Sequence, residues 1–169
     1  MVEQHISSGE RRWLMKAVRE MAGELYRQFN GVDQKGLRWR PQPGEWCLKE
    51  IAAHMRDAEL LYQRQIEAIV HSYGHPVRLP HEPLDVLPAE RGYVDGELQR
   101  FLHEYEMARE ETMWLLYSLA EDEWFNTGQH PYRGDISVYD IARELHEHDL
   151  QHVNQARITR EALDRRLSR

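Results

Sequence analysis

Cysteine is nearly absent: Cys47 is the single one in 169 residues. No disulfide can form within the chain, and the composition fits a reducing cytoplasm. No apolar run approaches the ~20 residues that a helix needs to cross a bilayer, so a membrane is not an expected partner. Met1-Val2-Glu3-Gln4-His5 has neither a basic start nor an apolar stretch, so no secretion signal is expected. Positive charge is short as well, with 22 Lys and Arg against 29 Asp and Glu and a formal net charge of −7. Phosphate backbones are bound by dense basic surfaces, which argues against nucleic acid as a partner. β-Branched clusters and strict apolar–polar alternation are missing, so no strand is expected. There is no internal repeat and no low-complexity tract.

What remains is 41% hydrophobic residues, enough for one core, in a chain sized for a single domain over 1–169. Gly and Pro cut it into four helical segments. Ser7-Ser8-Gly9-Glu10 reads as a capping box, and Trp13, Leu14, Val18, Met21, Leu25 and Phe29 then recur at three- and four-residue steps up to Asn30-Gly31. A second helix runs from near Trp46-Cys47 to about Ser72, with Ile51, Met55, Ala58, Tyr62, Ile66 and Ile69 as its buried stripe. The stretch Tyr73 to Tyr93 holds four prolines and reads as a long loop, a feature more often functional than idle. Asp95 is placed to cap a third helix, striped by Leu98, Phe101, Leu102, Tyr105, Thr112, Leu116 and Leu119. Ser137-Val138-Tyr139-Asp140 restarts the chain as a fourth helix to about Leu163, with arginines toward its C-terminal end. The expected fold is all-α: a four-helix bundle with long connecting loops. The five tryptophans fit core packing and helix-end anchors.

Ten histidines are many for this length. His5, His71, His75, His81, His103 and His130 read as solvated or capping side chains, by the ordinary exposure of His. The run Leu145-His146-Glu147-His148-Asp149-Leu150-Gln151-His152 is different. With Ile141 as zero, His148 falls near ~340° and His152 near ~20°, on the apolar face, while His146 falls near ~140°, toward water. Gln155 lies near ~320°, beside His152. Two imidazoles at i and i+4 can reach one metal ion. On the second helix His54 sits at about 300° from Ile51, at the rim of the buried stripe, where it can look across to a facing helix. The competing reading makes these histidines core residues that hydrogen-bond one another or backbone carbonyls.

Two stretches resemble the motifs of the DinB-like (YfiT-like) family: Arg40-Pro41-Gln42-Pro43-Gly44-Glu45-Trp46-Cys47-Leu48-Lys49-Glu50-Ile51-Ala52-Ala53-His54 with Met55 to Glu59, and His130 to Ser137 leading into His148-Asp149-Leu150-Gln151-His152. The resemblance covers residues from near 40 to near 160. It implies a four-helix bundle with a three-histidine metal centre, whose ligands by position are His54, His148 and His152. Cys47 departs from the Ser or Thr usual at its position, and a thiol is a poor cap. No basic partner marks Cys47 as a reactive thiol.

Three imidazoles leave a coordination position open on zinc, nickel or a similar divalent ion, unlike a closed structural site. The resemblance implies an enzyme of the S-transferase class that uses a low-molecular-weight thiol such as bacillithiol or mycothiol on a small-molecule substrate. A hydrolase that activates water at the same ion is the alternative, with Asp57 or Glu59 as general base. A non-catalytic interaction protein tied together by its metal is the third reading. Asp57, Asp149 and Gln155 are candidates to support the ligands or contact substrate, Asp57 and Asp149 by holding a ring nitrogen. Arg157 and Arg160 are candidates to meet an anionic thiol or, equally, the residues of a basic helix end. A homodimer is expected, as in many members of that family.

Overall fold

The computed structural model describes residues 6–84 and 88–169, so His5 and part of the Tyr73–Tyr93 stretch lie outside the described residues. Four long helices carry the fold: α1 (Ser8–Phe29), α3 (Leu48–Val70), α5 (Leu98–Ser118) and α6 (Val138–Leu167), with short helices α2 (Gln34–Arg38) and α4 (Pro88–Arg91) in the connections. The all-α expectation holds. Among the described residues no helix is long and apolar enough to cross a membrane.

Each long helix starts where its local chemistry dictates. Ser7 and Glu10 close a reciprocal capping box on α1. Gly31, at φ 71°, takes the left-handed turn that releases the chain beyond α1. At α3 the Cys47 thiol makes no ordinary cap, and Glu50 compensates by accepting from the Cys47 backbone N–H at 2.9 Å while pairing with Arg40 at 2.7 Å. The start of α5 differs from expectation: Glu97, not Asp95, is the N-cap, because Tyr93–Asp95 winds into a 3-10 turn. The Phe101 ring then folds over Gly96, where a Cβ would stand 2.2 Å from Phe101 Cζ.

A further correction concerns strands. Thr127–His130 (β1) and Gly134–Ser137 (β2) form a small antiparallel hairpin, with Thr127 opposite Ser137 and His130 opposite Gly134. Leu79 N–H donates to the Gln129 carbonyl and Gln129 N–H to that of Val77, which ties the long loop to the hairpin. Gly128 is required there: a Cβ would meet Leu79 Cδ2 at 2.3 Å. The hairpin leads directly into the α6 capping box, in which the Ser137 hydroxyl accepts from the Asp140 N–H at 3.1 Å. Ser137→Ala is expected to lower stability by about 1 kcal/mol, read by chemical denaturation.

Beside a small cluster of Ala53, Tyr93 and Phe101, two large clusters make up most of the core. One gathers Leu14, Val18, Ile66, Ile69, Leu116, Trp124, Ile141 and Leu145. The other gathers Leu25, Leu48, Ile51, Met55, Tyr105, Ala156 and Leu163. Between the levels of these clusters α3, α5 and α6 each present buried polar residues: Glu59 on α3, Arg109 and Thr112 on α5, Asp149 and His152 on α6. That polar layer, at the level where α3 packs against α6, is where the chemistry gathers.

Candidate metal centre

His54 comes from the second turn of α3, and His148 and His152 from successive turns in the middle of α6. All three meet. His54 Nε2 stands 2.9 Å from His148 Nε2, and the ring centroids are 5.0, 4.5 and 4.4 Å apart for the 54–148, 54–152 and 148–152 pairs. One nitrogen from each ring lies within 4.8 Å of the others. Donors at 2.0–2.1 Å from a tetrahedral ion are about 3.4 Å from one another, a spacing these nitrogens bracket. Among the described residues no fourth His, Cys, Asp or Glu joins the group.

Burial sets the protonation of the rings. His54 is 6% and His152 8% exposed, and His148 is half-buried. Desolvation, with the neighbouring His152 and Arg91 charges adding to it, pushes His54 down to about 4. Desolvation and the His152, His54 and Arg109 charges push His148 down to about 3. His152 is lowered by burial and partly restored by its bond to Gln155. All three are therefore neutral at pH 7, the state that binds a cation. His152 Nδ1 donates to Gln155 Oε1 at 2.8 Å, which leaves Nε2 as the lone-pair nitrogen. Gln155 thus holds a ligand candidate in one tautomer.

Two aromatic residues wall the cluster. Trp46 stacks on His152 at 5.8 Å and 11° and meets His54 edge-on at 5.0 Å. Tyr62 stands edge-on to His148 at 6.0 Å. Sequence alone gives Trp46 only an anchoring role and Tyr62 only a place in an apolar stripe; the structure sets Trp46 against His54 and His152 and Tyr62 against His148.

The carboxylates lie elsewhere than expected. Asp57 accepts from the Tyr93 hydroxyl and pairs with Arg91 at 3.3 Å and Arg56 at 2.6 Å; it holds no histidine. Asp149 is fully buried and pairs with Arg109 at 2.8 Å instead of supporting a ring. Glu59, also fully buried, accepts from Arg109 at 2.7 Å and from the Thr112 hydroxyl at 2.7 Å. Burial drives Asp149 up to about 7, although Arg109 pulls it down. This Arg109–Glu59–Asp149 group escaped the sequence reading. Its signal is a charged residue on the core face of each of three helices, Arg109 between Tyr105 and Thr112 for one.

Other histidines also depart from expectation. His146 is half-buried, edge-on to Trp13 at 5.3 Å. His130 is buried by the hairpin, accepts the Tyr132 N–H at its Nδ1, and meets His81 at 5.0 Å. His71, His75, His81 and His103 are exposed as read. Arg157 pairs with Glu161 on its own helix, and Arg160 with Asp164 and with the Gln28 and Asn30 carbonyls at the end of α1. Burial raises the Cys47 thiol, consistent with an inert side chain.

The metal-free protein is expected to lose stability as pH falls from about 6.5 toward 4. The lowered histidines take up protons only on unfolding, so their stability is present above the unfolded value and lost below it. Asp149, raised when folded, has the opposite sign and offsets one proton of that uptake. Each proton of net uptake gives a slope of about 1.4 kcal/mol per pH unit, measurable by denaturation across that range.

Residues 17–156 match the family model of the DinB superfamily. The chain belongs to that superfamily. Its relatives include the uncharacterized protein YuaE of Bacillus subtilis (strain 168), 19% identical over 165 residues, which cover 89% of this chain and 99% of YuaE. Among solved structures, this DinB-superfamily protein is similar to YfiT from Bacillus subtilis, described as a probable metal-dependent hydrolase with an unusual four-helix bundle topology. The TM-score is 0.79 at 13% identity, over 99% of this chain and 93% of that one. It is also similar to a mycothiol-dependent maleylpyruvate isomerase, with a TM-score of 0.64 at 12% identity over 85% of this chain. The chain spans only 59% of that isomerase. At these identities the likeness is one of fold.

Proposed function

We propose that this protein is a divalent-metal-dependent enzyme of the S-transferase class, acting with a low-molecular-weight thiol of the bacillithiol or mycothiol type, and that His54, His148 and His152 are its metal ligands. One observation carries the reading: three neutral imidazole nitrogens face one another with no fourth protein donor among the described residues. The donor set fits zinc or nickel, and an ion held by three imidazoles keeps a position for an outside ligand. When bound, such an ion lowers the pKa of a thiol or water that reaches it.

The protein's own residues favour the thiol over water. Water attack is helped by a general base, and the two carboxylates considered for that role are both engaged: Asp57 by Tyr93 and Arg91, Glu59 by Arg109 and Thr112. A thiol bound as thiolate is already the nucleophile and asks for no such base. Trp46 and Tyr62 set aromatic rings against His152 and His148, apolar surface for the carbon skeleton of a thiol. Gln155 keeps His152 aimed by accepting its Nδ1 proton. Gln155→Leu is expected to weaken metal affinity by about 10–100-fold without unfolding the chain, read by competition with a chelating dye.

The test has two arms. Protein loaded with zinc or nickel is assayed for conjugation of bacillithiol or mycothiol to an electrophile, and separately for ester hydrolysis without thiol. Metal-dependent conjugation well above hydrolysis is expected, and a sulfur-to-metal charge-transfer band should arise when thiol is added to cobalt-substituted protein. Hydrolysis without thiol, and no such band, would replace the transferase reading with that of a hydrolase. Failure to retain any divalent ion overturns both.

A further inference from the structure

A second cleft, of about 830 Å³, opens where the C-terminal end of α1, helix α2, the first turn of α3 and the first turn of α5 meet. That is within the range of small-molecule sites. It is separate from the histidines: Lys49, in its lining, is five residues before His54 and so lies about 140° around α3 from it.

Three features make the cleft a built site. Lys49 is 2% exposed, and its ammonium donates to the Gly96 carbonyl at 2.9 Å; among the described residues no carboxylate pairs with it. A buried ammonium without a counter-charge is costly, and an anion in the cleft would supply one. Arg38, also in the lining, has no ion pair among the described residues. Lastly, the N-terminus of α5, a helix of 21 residues, is uncapped: the Glu97 side chain makes no capping bond and no acidic residue stands in the first turn. The first-turn N–H groups of Leu98, Gln99 and Arg100 therefore remain as donors at the positive end of the helix.

We propose that this cleft is a second binding site, for a small molecule that carries a phosphate or carboxylate group, held by Lys49, Arg38 and the first turn of α5. The exposed rim carboxylates of Asp95 and Glu97 count against a polyanion, so one oxyanion group is what the cleft accepts. Arg27, the other cation there, is already paired with Glu24 at 2.7 Å.

Calorimetric titration of the full chain with inorganic phosphate, acetate and pyrophosphate tests this. Saturable binding of phosphate or acetate is expected, the tighter of the two identifying the group, with pyrophosphate weaker. Lys49→Met should weaken binding at least about tenfold, the scale of one charge-assisted hydrogen bond. Arg38→Gln, at an exposed side chain, should weaken it in the same direction and serves if the buried substitution fails to fold. No saturable binding of either anion, or unchanged affinity in both variants, overturns the site. Titrations are repeated on chelator-treated protein and on His148→Ala. Binding that persists in both is expected, whereas binding lost in both belongs to the histidine cluster and overturns the second site independently of the proposed enzyme.

Discussion

His148→Ala is expected to abolish tight metal binding and to lower turnover by more than the ~10–100-fold that loss of a supporting residue costs. His148 Nε2 is the nitrogen that faces His54 across the interface of α3 and α6, so its removal leaves two imidazoles and no shared centre. The fold should survive. The ring is half-buried in the middle of a 30-residue helix, and its Nδ1 makes no hydrogen bond, so truncation frees an unsatisfied polar atom and breaks no bond the backbone uses. Metal content, turnover and circular dichroism on the same preparation separate these effects. Full turnover in His148→Ala would end the claim that this residue is a ligand.

The largest loss of stability should come from Arg109→Met. The Arg109 guanidinium reaches Glu59 on α3, Asp149 on α6 and the Val18 carbonyl on α1, all from α5, so one side chain joins four helices. Its removal leaves two carboxylates buried without a counter-charge, only Glu59 keeping a hydrogen bond, from Thr112; the cost is about 3–5 kcal/mol. Restoring charge balance with Glu59→Gln and Asp149→Asn in the Arg109→Met background should recover much of that loss. Denaturation midpoints of the single and triple variants decide it. A neutral outcome for Arg109→Met alone would mean that water reaches the carboxylates and that the polar layer is not dry.

The helical periods of Ile51–Ile69 and Ile141–Ala156 sufficed to turn His54, His148 and His152 toward one another, because a 100° step per residue leaves few faces to choose from. The same step placed Gln155 beside His152. What it could not place was partner choice. Asp57 and Asp149 are neighbours of the histidines in sequence, yet each is drawn to an arginine from another element, Arg91 or Arg109, and tertiary electrostatics alone decides that. The hairpin was missed for a different reason. Its strands have four residues each, one of them begins Thr-Gly, and their pairing depends on Leu79 and Ile69 pressing on Gly128 from distant parts of the chain. Asp95 lost its capping role because it lies in the 3-10 turn of Tyr93–Asp95, which leaves Glu97 at the start of α5. His146 failed as a solvent-facing residue because Trp13 of α1 reaches across to it.

The imidazoles of one cluster come from α3 and α6, and the pair in hydrogen-bond contact is separated by 94 positions. During synthesis His54 leaves the ribosome long before its two companions, and a lone imidazole holds no cation firmly. Closure of so long a segment must therefore precede capture of the ion. With the proposed ligands, a bound cation is a latch on an assembled bundle and not a seed for it, so chelation should speed unfolding far more than it slows refolding.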